Sequence, residues 1–489
     1  MTRRRADRSR RVHGLAGTLG VTLLGTVLPG AGLLHAGRRV LGLLLLVPFL
    51  AGLAAAAWYV VRDPDAAIGV AFDPGRLTVL TTVAVAVLVV WVASVVATYL
   101  LVRPRERRRS HGLLGSAFVL LMCVAVAAPL ALVARYSTVQ KQVVHKVFEH
   151  NRTATAPVRV TEKDPWGGRD RVNVLLLGGD GNVHREGVRT DSVVLASLDV
   201  RTGRTVLFSL PRNLAEVPFP KRSPLRGLYP NGFSGAGDGA EWMLNAVYGN
   251  VPALHPGILG TSDNEGADAV KQAVSGALGV PVDYYLLVNL AGFRSIVQAI
   301  GGVTVNINQR IPIGGNTDAG IAPDDYLEPG PDQRLDGFEA LWFARGRYGL
   351  DDYQRMDRQR CMIDAIINEA RPLNLLRRYE SLAAVGQEIV RTDIPQNLLS
   401  AFVDLAGRVK DSSVRSVVFR LSDQFFPSNP DYDYVHQKVL RALHPRAGSS
   451  APSSPSTSPS APASPSGSPT ADPADAVDAA DTCAYRPVS

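Results

Sequence analysis

A chain of 489 residues is too long for one typical domain, and its net charge of +8 is unevenly placed. Residues 1–13 hold six arginines against one aspartate and residues 103–111 hold five against one glutamate, both beside long apolar runs, so the charge points to a membrane and away from nucleic acid. Only three cysteines occur, with no CxxC or HExxH pattern, which speaks against zinc.

In chain order, the basic N-terminus (residues 1–13) is followed by an apolar stretch, residues 14–34, broken at its centre by Pro29-Gly30 and followed by Arg38 and Arg39. Three further segments, residues 40–61, 77–102 and 112–134, reach the ~20 apolar residues needed to cross a bilayer. The loop between the first two of these carries two arginines against three aspartates and belongs outside, whereas the N-terminus, Arg38, Arg39 and residues 103–111 belong inside. Residues 14–34 must then enter and leave on one face, as a re-entrant or interfacial segment. Their apolar run is longer than the core of a signal peptide and further spans follow, which argues against cleavage. Three spans deliver everything after Arg135 to the outside.

Beyond the membrane region (residues 14–134), residues 135–170 read as a polar connector and residues 171–445 as a globular domain. Residues 446–489 are rich in Ser, Pro and Ala and cannot bury a core, so a disordered tail is expected. Cys123 falls in a span, leaving Cys361 and Cys483 on the oxidising side; a disulfide between them and a buried Cys361 thiol are both open.

The domain opens with three apolar runs, residues 172–177 (VNVLLL), 192–198 (SVVLASL) and 205–210 (TVLFSL), which read as strands. If they pair in sequence as antiparallel neighbours, the end of the first, the start of the second and the end of the third share one sheet edge. Asp180, then Arg189, Thr190 and Asp191, then Pro211, Arg212 and Asn213 fall at that edge. Two carboxylates beside two arginines suit Mg²⁺ and phosphate, since Mg²⁺ takes one or two protein carboxylates and completes its shell with water and phosphate oxygen. An aspartate after a strand is also a common turn residue.

Residues 282–307 read as strand, helix, Gly-Gly turn and strand, with Phe293, Ile296, Val297 and Ile300 at a helical period. Residues 344–360, ARGRYGLDDYQRMDRQR, then place five arginines beside three aspartates. Arginine stays charged and its planar fork fits phosphate oxygens in pairs, so the density suggests a multiply charged phosphate ligand, with a salt-bridged surface helix as the alternative. A helix is expected over residues 354–370, with Arg355, Arg358, Gln359, Met362 and Ile366 on one face and Arg360 off it as a solvated charge. A face that begins cationic and turns apolar suits a lipid pyrophosphate, although Met362 and Ile366 suit core packing equally.

The blocks LLLGGDGNVHREGVRTDSVVLASLD, VLFSLPRN, LNAVYGN, VDYYLLVNLAGFRSIVQAIGGVTVNI and LDGFEALWFARGRYGLDDYQRMDRQR occur in order over about residues 171–370. In this the chain resembles the LytR-CpsA-Psr family of extracytoplasmic cell-wall glycopolymer transferases. The resemblance implies an α/β/α sandwich with a central mixed sheet, placed outside a multi-pass cell-membrane anchor. It implies a phosphotransferase that moves a glycopolymer from a polyprenyl-pyrophosphate carrier onto peptidoglycan through a phosphodiester link. By motif match, Asp180 and Asp191 would hold Mg²⁺. Arg189, Arg212, Arg345 and Arg347 would grip the pyrophosphate, with Arg355, Arg358 and Gln359 in support. Asp352, by its place in the cluster, is the candidate general base. The partners implied are the lipid-linked polymer, peptidoglycan and membrane lipid. The chain departs from the family pattern in having Asn182 where an arginine is usual, Asn213 where an aspartate is usual, and Thr190 for the commoner serine. A hydrolase of the same lipid would use the same clamp with water as nucleophile. A non-catalytic polymer binder would have no use for the Asp180 and Asp191 pair.

Overall fold

The structure is a computed structural model describing residues 15–62, 74–103, 109–148, 152–157, 160–161, 163–179, 189–317, 320–369, 390–444, 477–478 and 483–487. The basic N-terminus, Asp180, Asn182 and most of the Ser/Pro/Ala-rich segment lie outside these residues. The chain divides into two compact units, Met1–Val144 and His145–Ser489.

The first unit contains helices α1 (Leu15–Val27), α2 (Ala31–His35), α3 (Arg39–Arg62), α4 (Pro74–Val102) and all but the last four residues of α5 (Arg109–Phe148). Arg39–Arg62, Gly75–Val102 and Gly112–Arg135 are long and apolar enough to cross a membrane. With 13 residues, α1 rises only about 20 Å, short of the ~30 Å hydrocarbon layer. The chain reverses between α1 and α2 at Gly30, whose φ of 93° suits glycine and where a Cβ would stand 2.3 Å from the Gly42 carbonyl oxygen. Small and hydroxyl side chains then let α1 and α2 approach α4. A Cβ on Gly32 would meet Thr98 Cγ2 at 2.4 Å, and Trp91 Nε1–H donates to the Thr26 carbonyl at 3.0 Å.

The second unit is built on a seven-stranded mixed sheet. Strands β1 (Arg171–Gly179), β2 (Thr190–Asp199) and β3 (Thr205–Leu210) pair antiparallel in sequence. Next, β4 (Tyr284–Asn289) adds parallel to β1, and β5 (Val303–Ile307), β6 (Ile311–Asn316), β7 (Ile321–Leu327) and β8 (Gly330–Leu335) form two small sheets, β5 with β8 and β6 with β7. Finally β9 (Val390–Thr392), β10 (Val414–Val418) and β11 (Val477–Asp478) complete the order β11-β10-β3-β2-β1-β4-β9. Period-two alternation sends Leu175, Leu177, Val193, Leu195, Val206 and Phe208 to one core and Val172, Val174, Val194, Ala196 and Leu207 to cores on the opposite face. Both faces are buried, which is why the three strands read as continuous apolar runs rather than alternating ones.

After α6 (Pro224–Leu228) and α7 (Val247–Leu254), helix α8 (Glu265–Leu278) packs its alanines and valines into the first core. The predicted strand, helix, turn and strand are β4, α9 (Leu290–Ile300), Gly301-Gly302 and β5. Helices α10 (Gly337–Arg345) and α11 (Asp352–Glu369) follow, then α12 (Leu399–Lys410) and α13 (Tyr432–Leu443), with α12 and α13 contributing to cores on opposite faces of the sheet.

Two boundaries differ from expectation. The connector does not stand clear of the domain: α5 runs on to Phe148, and the Thr153 and Thr155 hydroxyls and the Ala154 N–H all donate to the buried Asp268 of α8. A buried carboxylate requires such donors, so this segment is fixed by them. Nor is the tail free to its end. Cys361 and Cys483 form a disulfide, β11 pairs with β10, and the Cys483 and Ala484 carbonyls accept from Asn306 Nδ2 (2.9 Å) and Asn308 Nδ2 (3.2 Å). The covalent tie returns the chain to the domain after a segment whose own composition offers no core.

Lys271 and Asp393 form a fully buried ion pair, and Asp393 Oδ1 also accepts from the Tyr285 N–H at 2.7 Å. Burial raises the Asp393 pKa, with Lys271 acting against that rise. Lys271→Met strands the carboxylate, and a loss of about 3–5 kcal/mol is expected in denaturant unfolding of the full chain. Adding Asp393→Asn to it should recover part of that loss.

Candidate functional site

The register of the sheet creates the site. Gly179 faces Thr190 and Val193 faces Leu210, so the end of β1, the start of β2 and the end of β3 share one edge. Asp191 is the second residue of β2 and Arg212 lies two residues past β3; the guanidinium Nη1 donates to Asp191 Oδ1 at 2.7 Å. Arg212 Nε also lies 3.9 Å from Asp352 Oδ1, at the first turn of α11, where a carboxylate complements the helix dipole. Arg355, one turn on, places Nη2 at 2.9 Å from Asp352 Oδ1 and 3.1 Å from its Oδ2. Asp191, Arg212, Asp352 and Arg355 thus form one line of alternating charge.

Arg355 is only 4% exposed, and its Nε has no hydrogen-bond partner among the described residues. Burial lowers its pKa, Asp352 opposes that, and the nearby Arg212 and Arg347 lower it further. The positive charges of Arg355, Arg212 and Arg347 repel one another, and an anion bound beside them would relieve that repulsion.

Arg358 serves the site indirectly. It is buried, with Nε–H donating to the Phe343 carbonyl at 2.7 Å and Nη2 to the Gly346 carbonyl, and burial pushes its pKa down to about 10. Gln359 Nε2 donates to the Ala344 carbonyl at 3.4 Å while its Oε1 accepts from Ser192 Oγ at 3.1 Å, so it spans from β2 to the end of α10. Between them these two side chains hold residues 343–346. Arg345, within that segment, and Arg347, the residue after it, are exposed, and the Arg345 guanidinium lies over the Trp342 ring at 4.9 Å.

Arg189 pairs with Glu241, whose backbone carbonyl accepts from Asn250 Nδ2 at 2.7 Å. Neither Glu241 nor Asn250 stands among the site residues expected from the sequence. Asn250 closes the LNAVYGN block, and that was the available signal; Glu241, in a 3-10 turn, gave none.

One expectation about α11 is overturned and one open choice is decided. Arg360 is no solvated charge: it is 4% exposed, bonded to Asp357 and to Ser416 Oγ of β10, because the side of α11 away from the Arg355 face lies against the sheet. Met362 is buried and Ile366 packs against the same core as Val297, Val303 and Phe343, so core packing accounts for these two residues.

Of the two expected Mg²⁺ ligands, Asp180 lies outside the described residues and Asp191 stands at the start of β2. Asp191 gives one oxygen to Arg212, and its side chain is 42% exposed. An accessible carboxylate beside arginines has the donor chemistry of one position in a Mg²⁺ shell.

A sequence model of the LytR_cpsA_psr family matches residues 134–444. The chain belongs to this family. The matched span begins within α5 and ends beyond α13, so it covers all the site residues above. Among curated relatives, the chain is 28% identical over 269 residues (54% of this chain, 72% of the relative) to a polyisoprenyl-teichoic acid–peptidoglycan teichoic acid transferase, TagU, of Bacillus cereus. It is 26% identical over 278 residues (55% and 76%) to the protein of that name from Enterococcus faecalis. The crystal structure of Bacillus subtilis TagV superposes with a TM-score of 0.38 at 21% identity, covering 56% of this chain and 96% of that one.

Replacing Arg358 by Met leaves two carbonyls without a donor and is expected to cost about 1–3 kcal/mol for each buried group left unpaired. Hydrogen exchange should show loosened protection around residues 345–348 in that variant, with the β1–β3 strands unchanged.

Proposed function

We propose that this protein is a membrane-anchored phosphotransferase that moves a glycopolymer from a polyprenyl-pyrophosphate carrier onto peptidoglycan. The line Asp191–Arg212–Asp352–Arg355 beside the exposed Arg345 and Arg347 carries this reading. The relatives' names supply the polymer and the acceptor as classes.

A pyrophosphate diester carries two negative charges close together, and its transfer needs alignment and charge neutralisation more than covalent help from the protein. Arg345, Arg347 and Arg212 present paired N–H donors to the phosphate oxygens. Arg355, buried behind them, contributes fixed positive charge at low solvent cost. A sugar hydroxyl of the acceptor attacks the phosphorus bearing the polymer. The new P–O bond forms as the P–O bond to the carrier's phosphate breaks, leaving polyprenyl phosphate and a phosphodiester. Asp352 would take the hydroxyl proton, and its contact with Arg355 supports that reading by fixing the carboxylate beside the arginines. Asp191, together with Asp180, would hold Mg²⁺, which when bound supplies charge neutralisation at the phosphate oxygens. The exposed Asn213 leaves the site one carboxylate poorer than the family pattern.

Three helices able to cross the bilayer with basic flanks inside would put the catalytic unit outside the cell in an α/β/α sandwich. The Cys361–Cys483 disulfide supports that placement, since such bonds persist in oxidising compartments.

With a polyprenyl-pyrophosphate sugar, Mg²⁺ and peptidoglycan, the full chain in detergent should release polyprenyl phosphate. Asp191→Ala and Arg345→Ala should each slow release by about 10²–10³-fold. Unchanged rates in both variants would dismiss the site, and equal release without peptidoglycan would make the protein a hydrolase. Chelation by EDTA should abolish turnover, and added Mg²⁺ should restore it.

A further inference from the structure

One surface next to Arg345 is not used by the chemistry above. Phe338, Trp342 and Arg345 are spaced four and three residues apart, so they share one face of α10. Arg294, on the exposed side of α9, places its guanidinium over the Phe338 ring at 5.4 Å. Phe338 and Trp342 meet edge to face with centroids 6.4 Å apart, and Arg345 covers Trp342 in turn. The order along the surface is therefore arginine, aromatic, aromatic, arginine. Gly337 holds the two helices close enough for this: a Cβ there would stand 2.1 Å from the Arg294 carbonyl oxygen.

Phe338 remains 38% exposed, and among the described residues no carboxylate pairs with Arg294 or Arg345. Stacking occupies the flat face of a guanidinium and leaves its in-plane N–H donors directed outward, where they match phosphate or carboxylate oxygens. Between them, an exposed aromatic ring suits the C–H face of a pyranose, which is apolar while its hydroxyls point sideways. We propose that this strip is a binding surface for the donor's polymer beyond the pyrophosphate, and that it takes a glycan with anionic groups alternating with sugar rings. The proposal rests on the transferase reading. Charge complementarity and the continuity of the strip with Arg345 favour this occupant over an anionic lipid surface.

The test uses the full chain in zwitterionic nanodiscs with two donors, one bearing a single sugar and one bearing several phosphodiester-linked sugars. Arg294→Gln and Phe338→Leu should each raise KM for the long donor about fivefold more than for the short one, with kcat little changed, and the difference should shrink in high salt. Equal effects on both donors, or none, would overturn the proposal. A soluble phosphodiester-linked oligosaccharide, measured by calorimetry, should bind the wild type more tightly than Arg294→Gln, while a neutral N-acetylglucosamine oligomer of equal length should not distinguish them. That binding arm decides the strip even if the wild type turns over neither donor, an outcome that would count against the transferase reading alone. Loss of binding to phosphatidylglycerol vesicles in Arg294→Gln without any oligosaccharide effect would assign the surface to the membrane and reject the polymer.

Discussion

The burial of Arg355 against Asp352 is the constraint on which the site depends. A guanidinium taken out of water is tolerated only where a carboxylate and good geometry meet it, and Asp352 meets it with both oxygens. The same carboxylate faces Arg212 beyond β3, and Arg212 holds Asp191 on β2. One buried charge thereby ties a helix N-terminus to two strands of the central sheet.

The arginines of this segment divide into two kinds. Arg355, Arg358 and Arg360 are buried, with partners of different chemistry: a carboxylate for the first, backbone carbonyls for the second, and a carboxylate and a hydroxyl for the third. They fix how α11 lies on the sheet and hold the end of α10. Arg345 and Arg347 stand exposed on the segment so held. Precision at the exposed pair is therefore derived from the desolvation cost carried by the buried three, since a helix with three buried cations has few ways to satisfy them. The disulfide adds a covalent tie on the same helix, at Cys361.

Much of this was legible in the residues. Continuous apolar runs announced the strands because both faces of the sheet are covered, and the placing of Asp191 and Arg212 at one edge followed from antiparallel pairing of neighbours. The helix after Leu350 was legible from its period. The fates of Arg358, Arg360, Met362 and Ile366 were not, because helical spacing assigns residues to faces without saying what each face meets. Glu241 pairs with Arg189 across 52 positions, a separation at which local pattern carries no information.

The sequence by itself determined which segments are apolar enough to cross a membrane, which runs form the central strands, and which charges gather at their edge. These depend on composition and on periods of two and 3.6 residues, both local properties of the chain. Tertiary structure alone decided that Cys361 pairs with Cys483, that the end of the chain returns to the sheet, and that three arginines of one helix are buried while two beside it are exposed. Those outcomes depend on which distant groups desolvation forces together, and no local pattern records that.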